Sequence, residues 1–358
     1  MHIGIVCKVI DNFGDAGFSL RLAKALVAMG HSVDLFHDEP TTFQALYPRH
    51  ENNKLSLIDA TGIDFEIQRL KTPELILEPF GTSSEQTKFR FDSALKRLFP
   101  ETPWLLIDYL SSESWVESFH LSNSADPSTG HVTTFFYPGF TDKTGGLIHC
   151  DYPTHLIGKR AASDATSLNI FVFAYPNAPI RELIDSCNAM NTRGSDLQIG
   201  LAGNAAAPEQ GDCANAIPFV AQSGFDELLA TYDVLFVRGE DSFVRAQLAG
   251  KPFIWQIYPT EDNAHAEKLA CFFDLYSTGL GADCKLALWN CWLGWNGIGS
   301  EPMPDFGKSW IALLPHLPEL QTHALKWQSR LLNGRELVKE VLTWRSLQTP
   351  TLNEKPDL

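Results

Sequence analysis

The 358-residue sequence has no Cys-x-x-Cys pair, no Asp-x-Asp, no long apolar run and no excess of basic residues, and each absence narrows what it can do. Its seven cysteines, at 7, 150, 187, 213, 271, 284 and 291, are odd in number and scattered, so they read as reduced packing residues. The nearest approach to a metal cluster is His149, Cys150, Asp151 and His155, whose spacing fits no standard zinc pattern. No metal site is expected. Without Asp-x-Asp, the usual metal-held diphosphate of sugar-nucleotide enzymes has no sequence signature. Lys and Arg number 28 against 43 Asp and Glu, a formal net charge of −15, which argues against binding a nucleic-acid backbone. No run approaches the roughly 18 to 20 apolar residues of a membrane span, so no membrane partner is expected. The N-terminus enters a strand directly, with no basic n-region, and a cytoplasmic location is the expectation.

A chain of this length exceeds one ordinary core, and two domains are expected. The first strand runs from Ile3 to Ile10. It leads into the loop Asp11-Asn-Phe-Gly-Asp-Ala-Gly17 and then a helix with Leu20, Ala23, Leu26 and Val27 on one face. That loop lacks Gly-x-Gly-x-x-Gly, so a dinucleotide fingerprint is not supported. The alternation continues through Leu55–Ile58, Leu75–Leu77 before Glu78-Pro-Phe-Gly, Trp104–Ile107 before Asp108-Tyr-Leu-Ser-Ser-Glu, and Thr133–Tyr137. Acids at strand ends suit the carboxyl edge where α/β domains bind ligands, although Glu78 and Asp108 taken singly read more readily as ordinary caps. A polar stretch from Lys159 to Ser167 reads as a linker, giving domains of 1–163 and 164–324.

The second series begins at Leu168–Tyr175 and passes through Leu197–Ala202 and Ile217–Val220. Its clearest stretch is Tyr232–Pro259. Strand Val234–Val237, a polar loop, a helix of roughly two turns and strand Phe253–Tyr258 follow one another directly. Asp241 or Ser242 reads as the N-cap, and Gly250 with Pro252 as the stop. Free amides after that cap would attract phosphate, unless the segment is simply a capped helix with surface charges. Lys268–Tyr276 reads as helical. Cys284–Trp295 carries three tryptophans, which could form a sugar or partner platform but more often pack in a core. Further helix is expected at Trp310–Leu314 and Leu325–Trp344. Pattern alone thus implies a two-domain α/β enzyme that binds something phosphorylated in an interdomain cleft.

The wording of four loops goes further. Cys7-Lys-Val-Ile-Asp-Asn-Phe-Gly-Asp-Ala-Gly17, Phe173-Ala-Tyr175, Pro218-Phe-Val-Ala-Gln222 and Arg238-Gly-Glu-Asp-Ser-Phe-Val-Arg-Ala-Gln-Leu-Ala-Gly-Lys-Pro252 closely resemble the bacterial protein-arginine rhamnosyltransferases that modify translation elongation factor P. The likeness runs from the first strand to about Lys268 and is looser beyond. It implies the GT-B fold, two Rossmann-like domains with parallel sheets facing a cleft. It also implies dTDP-β-L-rhamnose as co-substrate, no cofactor or metal, inversion at the anomeric carbon, and elongation factor P as acceptor. The last helix, about 325–358, should cross back onto the first, acceptor-binding domain. Three positions depart from the family's wording: Ala174 stands for glycine, Ala221 for proline, and Asp108 for glutamate, which puts an acceptor contact by Asp108 in doubt.

The resemblance further implies roles. Arginine is a poor nucleophile because its guanidinium is delocalised and protonated, with a pKa above about 12. Asp15 is expected as general base and Asp11 as the group that orients and polarises the guanidinium; without the resemblance the same two residues read equally well as turn formers. Departure of dTDP builds charge on the diphosphate, which the amides of Asp241, Ser242 and Phe243, the Ser242 hydroxyl, and Arg238 or Tyr175 are expected to absorb. Glu240 is expected on ribose or rhamnose hydroxyls, and Phe173, Phe219 and Gln222 around thymine. A GT-B transferase with another acceptor, and a noncatalytic nucleotide-sugar binder, are the alternatives.

Overall fold

The computed structural model describes residues 1–11, 13–48, 52–61, 71–81, 91–127, 129–159, 167–203, 207–260, 263–299 and 305–348, without the side chains of 91–93. Asn12, Asn204 and residues 160–166 of the expected linker lie outside this set.

The first sheet grows from β1 (His2–Cys7), all six residues of which are buried. Such a strand needs partners on both sides and cover on both faces. It pairs in parallel with β2 (Ser32–His37) and β4 (Leu75–Pro79), with Ile5 opposite Leu35 on one side and Leu77 on the other. With β3 (Leu55–Asp59), β5 (Trp104–Ile107), β6 (Asn123–Ala125) and β7 (Val132–Phe136), the order is β3-β2-β1-β4-β5-β7-β6. Among the described strands of this sheet only the short edge strand β6 runs antiparallel, an element the apolar pattern does not announce because its three residues are exposed. Helix α1 (Phe13–Ala28) buries Leu20, Ala23, Leu26 and Val27 against this sheet.

The second sheet, β8 (Ser167–Phe173), β9 (Asp196–Ala202), β10 (Ala214–Ile217), β11 (Val234–Arg238) and β12 (Phe253–Gln256), is wholly parallel in the order β10-β9-β8-β11-β12. In both sheets the strand order reverses beside the first strand, between β1 and β4 and between β8 and β11. Chains leaving such a switch point diverge and open a crevice at the carboxyl edge. No described helix is long and apolar enough to cross a membrane.

The tryptophan-rich segment is helix α9 (Ala282–Asn296). Trp292 and Trp295 are fully buried: Trp292 bonds the Phe253 carbonyl at 3.3 Å, and Trp295 packs on Phe236 and Phe306. Trp289 lies on Phe273. The stripe is core rather than a platform. All seven cysteines are free thiols, most of them buried.

Of the expected return helix, about 325–358, residues 349–358 lie outside the described set. What reads as one helix is two, α11 (Leu317–Leu332) and α12 (Leu337–Leu347), parted at Asn333 and Gly334. Leu320, Trp327 and Leu331 of α11 belong to the second core, whereas Leu337, Val338 and Val341 of α12 complete the first. The two crossings meet where Leu147 bridges Glu336, with the Leu337 amide donating to the Leu147 carbonyl at 3.1 Å. Gly146 makes this possible: its φ is +70°, and a Cβ there would sit 2.2 Å from the Arg335 carbonyl oxygen. Gly146→Ala should therefore cost about 2 kcal/mol or more and lower the unfolding midpoint by roughly 4–8 °C, read by calorimetry. An unchanged midpoint would show that the crossing tolerates a side chain.

Candidate active site

After β1 the chain turns sharply, the Gly14 amide donating to the Asp11 carbonyl at 2.7 Å, and α1 begins. Asp15, the third helical residue, reaches back to accept the amides of Ile10 and Asp11 on Oδ2 at 2.7 and 2.8 Å. The turn-forming reading is thus satisfied, but it does not exhaust the residue. Burial raises the Asp15 carboxyl to a pKa of about 6, against the opposing effect of those two amides, with the Asp11 and Asp38 charges adding to the rise. A carboxylate poised that near neutrality is suited to proton transfer.

Asp11 does not point only to the acceptor side. Its Oδ2 accepts the Tyr175 hydroxyl at 2.5 Å, so the two loops join across the cleft. Burial raises the Asp11 carboxyl, while the Tyr175 bond and the Arg238 charge pull it back. Tyr175 follows β8 and is held by its amide on Gln256 Oε1 at 2.7 Å. The Arg238 guanidinium lies over the rings of Phe173 and Tyr175 at 4.5 and 4.4 Å. Gly239, with φ +63°, permits the approach: a Cβ there would stand 2.7 Å from Asp11 Oδ2.

Helix α7 (Asp241–Leu248) follows β11, one or two residues earlier than a cap at Asp241 or Ser242 would place it. Glu240 occupies the cap position, and no side chain there accepts the first amides. They remain the open end of the helix dipole. The Ser242 hydroxyl is not free as expected; it donates to the Arg238 carbonyl. Nor is Glu240 left for a sugar. It pairs with Lys268 Nζ of α8 (Ala264–Tyr276) at 3.0 Å, because a carboxylate that buried needs a counter-charge; burial raises its pKa and Lys268 opposes the rise.

A cavity beside α7 is lined by Phe13, Phe173, Gly203, Phe219, Gln222, Arg238, Asp241 and Ser242 among others. Phe219 is 58% exposed at its mouth and tilts against Phe13 of the other domain, ring centroids 5.3 Å apart. Gln222 spends its side-chain NH2 on the Gly17 carbonyl at 2.6 Å. Its Oε1 is buried without a partner, so what it offers a ligand is an acceptor, not a donor.

Several residues of the cleft are ones sequence reasoning passed over. Tyr109, next to Asp108 at the end of β5, lies under the combined influence of burial and of Asp15, Glu240, Asp108 and Asp11, which together hold its phenol protonated. Phe80 stacks on it at 4.1 Å and 7°, from a left-handed backbone with φ +65° that is rare for a bulky residue. Lys268 stands 5.2 Å from the centre of the Tyr109 ring. Asp108 accepts its neighbour's amide at 2.7 Å, and burial raises its carboxyl. Glu78 proves structural: it accepts Trp104 Nε1 at 2.6 Å and pairs with Lys96. In the segment weighed as a metal cluster, Asp151 is bound to Arg21 and Arg245, and His155 to Glu227. The one group of three metal-ligating side chains gathered among the described residues is Cys284, His316 and Glu319, of which Glu319 already accepts the Gly281 amide.

Carboxylates of Asp11, Asp15, Asp108 and Glu240 thus face Arg238 and Lys268 around one cleft between two Rossmann-like sheets. Residues 3–346 match the family model described as "Elongation-Factor P (EF-P) rhamnosyltransferase EarP". The chain belongs to that family. It is 34% identical to the protein-arginine rhamnosyltransferase of Pseudomonas putida, over 91% of this chain and 93% of the relative, and 31% identical to that of Pseudomonas aeruginosa, over 90% and 93%. A solved structure concerning EarP-mediated arginine glycosylation of elongation factor EF-P aligns with 97% of this chain and 99% of its own, at 25% identity and a TM-score of 0.61. The glycosyltransferase VinC, solved in complex with dTDP, shares the architecture at a TM-score of 0.55 with 12% identity, covering 98% and 100%. The fold is GT-B, and this EarP-family chain is a glycosyltransferase.

The Asp11–Tyr175 contact yields a direct expectation. In Tyr175→Phe the bond that lowers the Asp11 carboxyl is gone while its burial remains, so Asp11 should titrate at higher pH than in the wild type. Carbon-13 carboxyl shifts would show it. A midpoint that stays or falls would mean the two loops do not meet in solution.

Proposed function

We propose that this chain transfers L-rhamnose from dTDP-β-L-rhamnose to a guanidinium nitrogen of an arginine on elongation factor P, inverting the anomeric carbon without a metal. What carries this reading is the opposition of two chemistries across one cleft. A buried carboxylate with a pKa of about 6 stands in the first turn of α1, after the first strand of the first sheet, and an uncapped helix N-terminus beside an arginine follows β11 of the second.

Acids gathered around a neutral phenol suit a planar cation. Asp11, Asp15, Asp108 and Glu240 outnumber Arg238 and Lys268 there, so the local charge favours a guanidinium over a neutral acceptor. Tyr109 and Phe80 supply flat surfaces for it. The proton problem is solved by timing. A free guanidinium would not yield its proton to a carboxyl of pKa about 6, but its acidity rises as a nitrogen lone pair leaves the resonance system to attack the sugar. Asp15 accepts that proton while the new C–N bond forms on one face of the anomeric carbon and the bond to the diphosphate oxygen breaks on the other. Asp11 holds the guanidinium's orientation.

The departing diphosphate gains a negative charge. The free amides at the start of α7 and the Arg238 guanidinium are the groups that can absorb it, without reorganisation during the step. In the adjoining cavity, Phe173 and Phe219 offer stacking faces for thymine, and the unpartnered Gln222 Oε1 can accept an imide N–H. Glu240, neutralised by Lys268, is a second layer behind the acceptor rather than a sugar ligand.

The direct test is the intact mass of elongation factor P from the same organism after incubation with this protein and dTDP-L-rhamnose. The wild type should add one deoxyhexose to one arginine. Asp15→Asn should lower the rate by about 10²–10⁴-fold while dTDP affinity stays near the wild-type value. Because Asp15 must be ionised to accept the proton, kcat/KM should fall as pH drops through about 6. Turnover by Asp15→Asn equal to the wild type would remove Asp15 as base. Absence of any transfer by the wild type, with dTDP bound, would point to another acceptor.

A further inference from the structure

One buried charge cluster takes no part in these steps. Arg21, in the third turn of α1, is 3% exposed. Its Nε and Nη2 donate to the two carboxylate oxygens of Asp241 at 2.7 and 3.1 Å, and its Nη1 to Asp151 at 2.6 Å. Arg245, on the next turn of α7, is wholly buried; it donates to both oxygens of Asp226 at 2.7 and 2.5 Å and to Asp151 at 2.9 Å. Asp151 therefore bridges two guanidinium groups. Lys24, one turn further along α1, adds a third cation at longer range. Arg21 belongs to the first domain, Asp226, Asp241 and Arg245 to the second, and Asp151 to the connection between them.

Asp241 sits in an awkward place for a site that must hold a diphosphate. It is the first residue of α7 and lines the cavity. A carboxylate there suits the helix dipole but repels an incoming anion. A bidentate arginine fork cancels that charge at close range. The fork comes from the opposite domain, so the cancellation exists only while the domains are together.

We propose that Arg21 is a positioning residue for the sugar-nucleotide donor: by pairing with Asp241 across the cleft it removes the negative charge from the diphosphate cradle and couples donor binding to domain closure. This rests on the reading of the α7 N-terminus as that cradle. Linkage makes the effect reciprocal, since a donor that favours the neutralised cradle favours closure by the same factor. Burial alone would lower the Arg21 pKa, but Asp241 and Asp151 outweigh it, and the guanidinium stays charged.

Calorimetric titration with dTDP tests this in the full-length protein. Arg21→Met should weaken binding by about tenfold or more, because the Asp241 charge is then uncovered. Arg21→Met with Asp241→Asn should regain most of that affinity, a rescue that a merely structural arginine would not show. Asp241→Asn alone should bind at least as tightly as the wild type, and this variant carries the test if Arg21→Met does not fold. Undiminished binding by Arg21→Met, a double variant as weak as the single, or a clear loss in Asp241→Asn would each overturn the proposal. No dTDP binding by the wild type would instead overturn the cradle itself.

Discussion

Everything at this cleft depends on keeping buried carboxylates apart from the amides that must meet an anion. A guanidinium needs negative charge around it and a group to take its proton, whereas a departing diphosphate needs hydrogen-bond donors and positive charge. One flexible loop could not hold both within a few ångströms, since the two sets would pair with each other. Two parallel sheets solve the problem geometrically. Each opens at its own switch point, β1/β4 in one and β8/β11 in the other, so Asp11, Asp15 and Asp108 stand on one rigid frame and the α7 amides on the other, where Glu240 is countered by Lys268 and Asp241 by Arg21.

Beside the Phe13–Phe219 ring contact, the frames are joined by polar contacts. Tyr175 donates to Asp11, Gln222 to the Gly17 carbonyl, and Arg21 to Asp241, each spanning the two domains. Polar contacts of this kind can be exchanged for water at modest net cost, unlike an apolar interface of equal area. The permanent connection lies elsewhere, where α12 completes the first core after the chain has crossed beside Leu147. The contacts across the cleft and the attachment of the last helix are thus carried by different residues.

Much of this was legible in the sequence. The continuous apolar runs Ile3–Cys7 and Val234–Val237, each followed by a glycine-bearing polar loop, mark buried parallel strands and the sites after them, and the family wording of those loops named the chemistry. What local reading missed were partners distant in the chain. Asp241 as a cap and Glu240 as a sugar ligand were reasonable from neighbours alone, but Asp241 answers to Arg21 and Glu240 to Lys268. The Tyr109 phenol is kept protonated by burial and by four acids drawn from three segments, and no periodicity marks that. The split between α11 and α12 was visible in Asn333-Gly334, yet helical periodicity on both sides masked it. The tryptophans of α9 resolved to core for a simple reason: at positions 292 and 295, three apart, they share one helix face.

The central claim is that acid and anion-binding groups oppose each other across the reaction axis. It is tested most directly by a crystal structure of the protein with dTDP and the acceptor domain carrying the target arginine. The account predicts the diphosphate on the α7 amides and the guanidinium within hydrogen-bond reach of Asp15, with Tyr109 against its face. A guanidinium seated away from Asp15, or a diphosphate held elsewhere than at α7, would contradict it.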